Sequence, residues 1–510
     1  MPSANLVLDS AFTIAPVPSR LFGSFVEHMG RCVYTGIYEP DHPAADEQGM
    51  RTDVLDLVRE MGPTVIRYPG GNFVSNYRWE DGVGPREERP TRLDLAWHSV
   101  EHNQFGLHEF MDWAAKAGTE PMMAVNLGTR GLQEACNLLE YTNHPGGTAW
   151  SDRRIANGAR DPFDIRLWCL GNEMDGPWQV GHKTPAEYGR LANETGKAMR
   201  LIDGDIELVA CGSSNSRMPT FGAWESTVLE LCYDTVDYIS LHAYYEESEE
   251  DPRSFLASAL NMDHFIESVI ATADSVGARL KSRKKLGLSF DEWNVWYISR
   301  FSGDGPKPKD TVWAPKPRLI EDEYTITDAV VVGTLLNSLL RHGDRVTVGC
   351  QAQLVNVICL LRSEEGSEAW KQTIAYPFEQ MRRLARGQIV QIVATSDRYD
   401  SPAYTDVPVV DTSATYDGET GRAALFVANR SLDEAATLSA DLRGVGATGL
   451  VQASTLHAVD GQDRHITNRE VHDAVTPQAF SAYELVDGRL SATLPPLSWT
   501  VFEIQAAREQ

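Results

Sequence analysis

Two apolar stretches of the sequence end in acids. Ile165-Arg-Leu-Trp-Cys-Leu-Gly-Asn172-Glu173 reads as a strand that finishes in an amide and a carboxylate. About 120 residues later Lys285-Leu-Gly-Leu-Ser-Phe-Asp291-Glu292-Trp293 repeats the pattern. A buried strand is a poor place for such side chains unless they emerge from its end into a cleft. Two strand tips that each deliver a carboxylate suit a two-acid hydrolase on a parallel barrel. One acid is protonated and donates to the leaving oxygen; the other is ionised and attacks carbon or activates water. Glu173 and Glu292 fit these tasks. The plainer alternative is a pair of strand-end acids facing water.

Other predicted strand tips carry complementary groups: Glu27-His28, Arg67-Tyr-Pro-Gly-Gly-Asn72, His242-Ala-Tyr244-Tyr245 and, around the eighth, Gln353. If one barrel gathers them, they share a mouth with Trp97, Trp178 and Trp296 in nearby loops. Arg67 would hold Glu292 ionised, Tyr244 would orient it, and Asn172 is placed to grip a sugar 2-hydroxyl. Amides and acids bind hydroxyls while indole faces pack on C–H surfaces, so the lining suits a neutral, polyhydroxylated ligand.

Competing readings are weaker. Pro69-Gly70-Gly71-Asn72 lacks the Gly-Lys-Ser/Thr ending of a phosphate loop and reads as a tight turn. Of His28, His98, His102 and His242, only His98 and His102 have HxxxH spacing and no HxH pair occurs, so hydrogen bonding in a polar cleft is expected rather than a metal. Asp291 competes with Glu292, and strand alternation predicts that only one of them enters the cleft. Each of the three tryptophans could equally be loop packing.

The elements that must position these residues follow from periodicity. Strands are predicted at Leu21–Glu27, Thr64–Tyr68, Glu120–Val125, Ile165–Gly171, Ile206–Ala210, Val236–Leu241, Leu286–Phe290 and Val346–Leu354. Helical spacing falls between them at Val54–Met61, Leu107–Ala117, Leu132–Tyr141, Pro185–Ile202, Ala223–Cys232, Phe255–Val276, Ile326–Arg341 and Ala369–Arg386. Eight strand–helix units over about 365 residues predict a (β/α)8 TIM barrel at 19–386, with insertions Asn72–Asn103 and Trp293–Thr325 after strands. Beyond Gly387 short alternating runs (Gln388–Val393, Ala423–Val427, Val451–Leu456, Trp499–Ile504) predict an all-β sandwich. One N-terminal strand near 5–16 has no barrel role and is assigned to that domain, giving 1–18 plus 387–510. Packing and assembly, not chemistry, are expected of it.

Bulk properties narrow the class. The 42% hydrophobic and 23% charged residues are ordinary for a globular protein. A net charge of -26 argues against a nucleic-acid partner. No secretion signal or membrane span is read, and seven scattered cysteines without a CxxC pair read as reduced core thiols, so a cytoplasmic protein is expected.

Longer stretches carry a resemblance: Phe25-Val-Glu27-His28, Arg67-Tyr-Pro-Gly-Gly-Asn72-Phe, Asp94-Leu-Ala-Trp97, Asn103-Gln-Phe-Gly, Trp168-Cys-Leu-Gly-Asn172-Glu173-Met-Asp-Gly-Pro-Trp, Ser240-Leu-His242-Ala-Tyr244, Asp291-Glu292-Trp293-Asn294-Val-Trp296 and Ala352-Gln353-Leu-Val-Asn356. In this order over the whole barrel, they resemble glycoside hydrolase family 51, the α-L-arabinofuranosidases. The resemblance implies a retaining, exo-acting enzyme with Glu173 as acid/base and Glu292 as nucleophile. Glu27, Asn72, Asn172 and Gln353 match positions that hold the terminal arabinofuranose, with Gln353 chosen over Gln351 from its Gln-Leu-Val-Asn context. Tyr244 matches the residue that positions the nucleophile, and Trp97 and Trp296 match aromatics at the cleft rim. Arg67 and His242 are supporting residues. Family members carry a β-sandwich, commonly form hexamers, use no metal or other cofactor, and in bacteria are often intracellular. The alternatives are an endo-glucanase or xylosidase on the same barrel, or a non-catalytic sugar-binding protein.

Overall fold

The computed structural model describes residues 1–302, 312–459 and 462–508. Eight parallel strands close into a barrel in sequence order: Arg20–Phe25, Val65–Tyr68, Glu120–Ala124, Leu167–Leu170, Glu207–Ala210, Tyr238–Tyr245, Gly287–Val295 and Val346–Gln351. Its interior is a small apolar layer of Val65, Met122, Ala124, Leu167, Cys169, Val209, Val348 and Cys350. Arg67 and Asp291 are buried, with Arg67 two residues beyond Val65 on the second strand.

The surrounding helices have narrow apolar faces. Thr52–Met61 buries Val54, Leu55, Val58 and Met61, the spacing of one helical face, and ends at Gly62 in the left-handed conformation. Pro185–Ile202 begins at a capping box between Thr184 and Glu187. Ile326–Arg341 differs: nearly all its residues are buried, because it packs between the barrel and a second β structure.

That second structure is a sandwich. One sheet orders Val393–Ser396, Ser3–Asp9, Ala436–Gly444, Arg489–Leu494 and Tyr483–Val486; the other contains Thr13–Pro16, Gln388–Val390, Val410–Asp417, Arg422–Asn429, Ser498–Gln505, Gly449–Leu456 and Gln478–Ala479. Leu425 and Val427 face the sandwich core while Ala424, Phe426 and Ala428 join the barrel-side core. Burial on both faces explains why that strand reads as an uninterrupted apolar run. Trp499 seats on the all-buried helix, where a Cβ at Gly333 would lie 2.3 Å from the indole.

Four expectations need correction. The single N-terminal strand is two, Ser3–Asp9 and Thr13–Pro16, one in each sheet. The Phe255–Val276 helix is two helices, Pro252–Leu256 and Ser258–Leu280, broken at Ala257. The last predicted helix begins only at Ala375, because Ala369–Lys371 pairs with Leu361–Ser363 as a hairpin. The sixth and seventh strands run on to Tyr245 and Val295, past the predicted ends, and so reach the mouth of the barrel. The insertion Trp293–Thr325 falls partly outside the described residues.

Candidate active site

Glu173 stands just beyond the fourth strand, after Gly171 (φ 95°), with its own backbone left-handed at φ 44°. For a residue with a side chain this conformation costs about 1–3 kcal/mol and persists only where the surroundings hold it. A turn closed by Gly176 N–H donating to the Glu173 carbonyl at 2.9 Å holds it here. The carboxylate then meets two partners: Trp178 Nε1 donates to Oε2 at 2.7 Å, and His242 Nδ1 lies 2.9 Å from Oε1.

Glu292 comes from the extended seventh strand. Tyr244 donates its hydroxyl to Oε1 at 2.7 Å and Arg67 Nη1 donates to Oε2 at 3.0 Å. The other prong of the Arg67 fork reaches Asn172 Oδ1 at 2.6 Å, and Asn172 Nδ2 donates to Asn72 Oδ1 at 3.1 Å. One guanidinium thus ties the second, fourth and seventh strands together at the mouth.

Strand alternation does not separate Asp291 from Glu292, contrary to the sequence expectation. Pairing with the sixth strand jumps from Ser240↔Ser289 to His242↔Glu292, so the seventh strand carries one extra residue. This bulge lets both acids reach the same imidazole. His242 Nε2 lies 3.0 Å from Asp291 Oδ1, and Ser289 Oγ donates to Asp291 Oδ2 at 2.9 Å.

Glu27 forms the opposite wall. It accepts from the Phe73 backbone N–H at 2.9 Å, Trp97 Nε1 at 2.8 Å and Gln353 Nε2 at 2.9 Å. Gln353 Oε1 is enclosed with no protein hydrogen-bond partner. Gln351, the decoy, donates instead to Asn294 Oδ1 at 3.0 Å. Trp97 is buried rather than displayed, and Trp296 sets its ring edge against Tyr244 with centroids 5.0 Å apart. Eight of the eleven side chains singled out from sequence are joined by contacts around Glu292, and Glu27, Trp97 and Gln353 form a second group that meets the first at Gly71.

Electrostatics follow from burial and crowding. Burial opposes a charge on His242, yet the neighbouring Glu292, Asp291 and Glu173 outweigh it and push the imidazole up to about 10. Glu292 is raised, chiefly by burial and also by Glu173, while His242, Arg67 and Tyr244 pull it back. Burial, with the charges of Glu292 and Asp94, pushes Glu27 up to about 8 against the Phe73 N–H and Trp97.

Glu173, His242 and Glu292 each bring a side-chain ligand atom within 4.8 Å of the other two. Among the described residues this is the one such group with the donor types to hold a metal. Both imidazole nitrogens already face carboxylates, and the cationic ring has no lone pair to give an ion. His28 belongs to a separate network with Glu101 and Tyr68. What the arrangement can do is handle a proton on one carboxylate beside a second one held by the Arg67 guanidinium and the Tyr244 hydroxyl.

Two participants escaped sequence reasoning. Trp178 has no role in the sequence reading, unlike Trp97 and Trp296, and the turn after Glu173 brings its N–H to the acid. Asp291 was set aside because a bulge has no signature in an apolar run.

Comparison with known proteins matches residues 57–264 to the α-L-arabinofuranosidase 1 domain and 291–498 to the α-L-arabinofuranosidase C-terminal domain. The chain is 54% identical to an intracellular exo-α-(1→5)-L-arabinofuranosidase of Streptomyces lividans, over 98% of this chain and 75% of that one. It is 50% identical to an exo-α-(1→6)-L-arabinofuranosidase of Bifidobacterium longum, over 99% and 98%. A solved family 51 α-L-arabinofuranosidase from Bifidobacterium longum superposes with a TM-score of 0.94 at 48% identity, covering 99% of this chain and 100% of the other.

Proposed function

The chain belongs to the α-L-arabinofuranosidases of glycoside hydrolase family 51, and from that premise we propose that Glu173 is its acid/base and Glu292 its nucleophile. It is a retaining exo-α-L-arabinofuranosidase that removes terminal non-reducing arabinofuranosyl units. The observation that carries the reading is that Glu173, His242 and Glu292 converge within 4.8 Å, with Arg67 and Tyr244 both donating to Glu292 and neither to Glu173. Retaining enzymes hold their two carboxyl groups about 5–5.5 Å apart, too close for a water between the second carboxylate and the anomeric carbon.

In the first step Glu292 attacks the anomeric carbon while Glu173 protonates the departing oxygen. Glu173 Oε1 lies 2.9 Å from His242 Nδ1, a ring that can return a proton to it. Arg67 and Tyr244 keep the attacking oxygens of Glu292 aimed and charged. In the second step Glu173, now ionised, takes a proton from water, which displaces Glu292 with a second inversion. Glu27, Asn72, Asn172 and Gln353 hold the hydroxyls of the terminal furanose through a carboxyl group and three amides.

The endo-glucanase or xylosidase reading and the non-catalytic binder are not favoured. Among the described residues no helix is long and apolar enough to cross a membrane. We infer action inside the cell, in keeping with relatives named intracellular, and assembly as a homohexamer, by family resemblance. The test is hydrolysis of an aryl α-L-arabinofuranoside followed by NMR. The first-formed arabinose keeps the α configuration; a β product overturns the mechanism, and no turnover overturns the function.

A further inference from the structure

Two residues past Glu173 the same turn carries another acid, Asp175, which takes no part in the two chemical steps. It is 8% exposed. Its Oδ2 accepts from the Ser214 N–H at 3.0 Å and from the Ser214 hydroxyl at 3.2 Å. Its Oδ1 is enclosed with no hydrogen-bond partner among the described residues. Burial, with the neighbouring charge of Glu173, pushes it up to about 6 against the Ser214 donors.

Such a carboxylate is a costly way to hold a fold together. A buried acid with one oxygen unpaired gives up hydration that its two bonds return only in part. What it gains is a fixed point. Ser214 stands beyond the fifth strand, in a loop secured on two sides. Gly212 N–H donates to Ser240 Oγ of the sixth strand at 3.1 Å, and Ser213 N–H donates to Glu225 Oε1 of the helix Ala223–Cys232 at 2.7 Å.

The turn at Glu173 needs that anchor. Its left-handed backbone persists only while the surroundings hold it. The bonds from Gly176 N–H to the Glu173 carbonyl and from Lys183 N–H to the Met174 carbonyl, both 2.9 Å, lie within one loop and set its shape rather than its place. A Cβ at Gly176 would lie 2.5 Å from the Trp178 indole, so the turn and the donor to Glu173 shift as one body.

We propose that Asp175 is a positioning residue for the acid/base: by gripping Ser214 it fixes Glu173 and Trp178 against the loop of the fifth strand, and so aims the proton at the leaving oxygen. The inference rests on the reading of Glu173 as acid/base, and Asp175 acts through Glu173 rather than on the substrate.

The experiment compares Asp175→Ala and Asp175→Asn with the unaltered enzyme on arabinobiose and on 4-nitrophenyl α-L-arabinofuranoside, with Glu173→Ala as the reference for a lost acid. Gln179 holds the far end of the loop at Ser75, so the Ala variant is expected to fold. On arabinobiose, whose leaving oxygen needs a proton, it is expected to lose about ten-fold or more in kcat/KM, part of the ~10²–10⁴-fold that a positioned acid supplies. On the aryl substrate kcat/KM stays within about two-fold while kcat and KM fall together, because a misplaced base slows release of the sugar from Glu292. Asp175→Asn still offers Ser214 an oxygen and is expected to stay within about three-fold of the parent on both substrates. A fall in kcat at unchanged KM on both substrates marks a partly unfolded enzyme and overturns the proposal. So does an Ala variant that matches the parent. An Asn variant that falls as far as Ala also overturns it, by making the charge and not the tether responsible. A Glu173→Ala control that loses equally on both substrates overturns the acid/base assignment instead, so the two failures are distinct.

Discussion

The Nε2 atom of His242 lies 3.0 Å from Oδ1 of Asp291, and this contact fixes the ring that faces both working glutamates. Asp291 is one of the charges that push His242 up to about 10. In Asp291→Asn the shape is kept and that charge is lost, so His242 releases its proton at lower pH. The alkaline limb of the kcat/KM profile is expected to move down by about one unit or more, a typical effect of one adjacent carboxylate. The acid limb stays. An unmoved alkaline limb removes His242 from the proton inventory.

The same imidazole links pH to stability. Its folded value lies above the ordinary 6.5, so its stabilisation is complete below about 6.5 and is lost as pH rises through about 10. Thermal melts of the unaltered protein are expected to fall across that window, and those of His242→Gln to fall less steeply.

Replacing each glutamate separates their roles. Glu292→Ala should abolish turnover of every substrate, by about 10⁴-fold or more, since no covalent step remains. Glu173→Ala should still be glycosylated by a 4-nitrophenyl arabinofuranoside, whose leaving group needs no proton, and azide should restore turnover with a retained glycosyl azide. Rescue of Glu292→Ala by azide with retained product would exchange the assignments.

Trp178 is 49% exposed, so Trp178→Phe costs the fold little while deleting the N–H donated to Glu173. Misplacing the acid matters most where the leaving oxygen is basic. The expected result is a loss of about ten-fold or more on arabinobiose, within the ~10²–10⁴-fold that a positioned acid contributes, against a much smaller loss on the 4-nitrophenyl glycoside. Equal losses on both would assign Trp178 to sugar binding.

Gly70 has φ 114°, and a Cβ there would sit 2.2 Å from Glu27 Cβ and 2.6 Å from its Cα. Gly70→Ala combines a disfavoured backbone with a collision against the wall of the sugar pocket. A loss of about 2–5 kcal/mol is expected by denaturant unfolding, from strain and overpacking together. A variant as stable as the parent would show that the wall yields.

Much of this site is legible in the sequence because barrel strands deliver their tips to one face. Once Glu173 and Glu292 are read as strand ends, Arg67, Asn172 and Tyr244 follow by position. Gln353 is chosen over Gln351 only through the family match of its Gln-Leu-Val-Asn neighbours, and the two amides have different partners. Periodicity is blind to what depends on distant pairing. Ala369–Lys371 carries a helical spacing but lies against Leu361–Ser363. The bulge at Asp291 arises from register with strands on either side, and no local residue announces it.

The strand Ser3–Asp9 lies between Val393–Ser396 and Ala436–Gly444. During synthesis it must wait, unmated, until the whole barrel has been translated before either neighbour exists. Gene fusions and truncations inherit that constraint. Clipping the opening residues withdraws an interior slat from a sheet hundreds of positions away, and expressing the distal segment alone yields an assembly with a gap in the middle rather than a frayed margin.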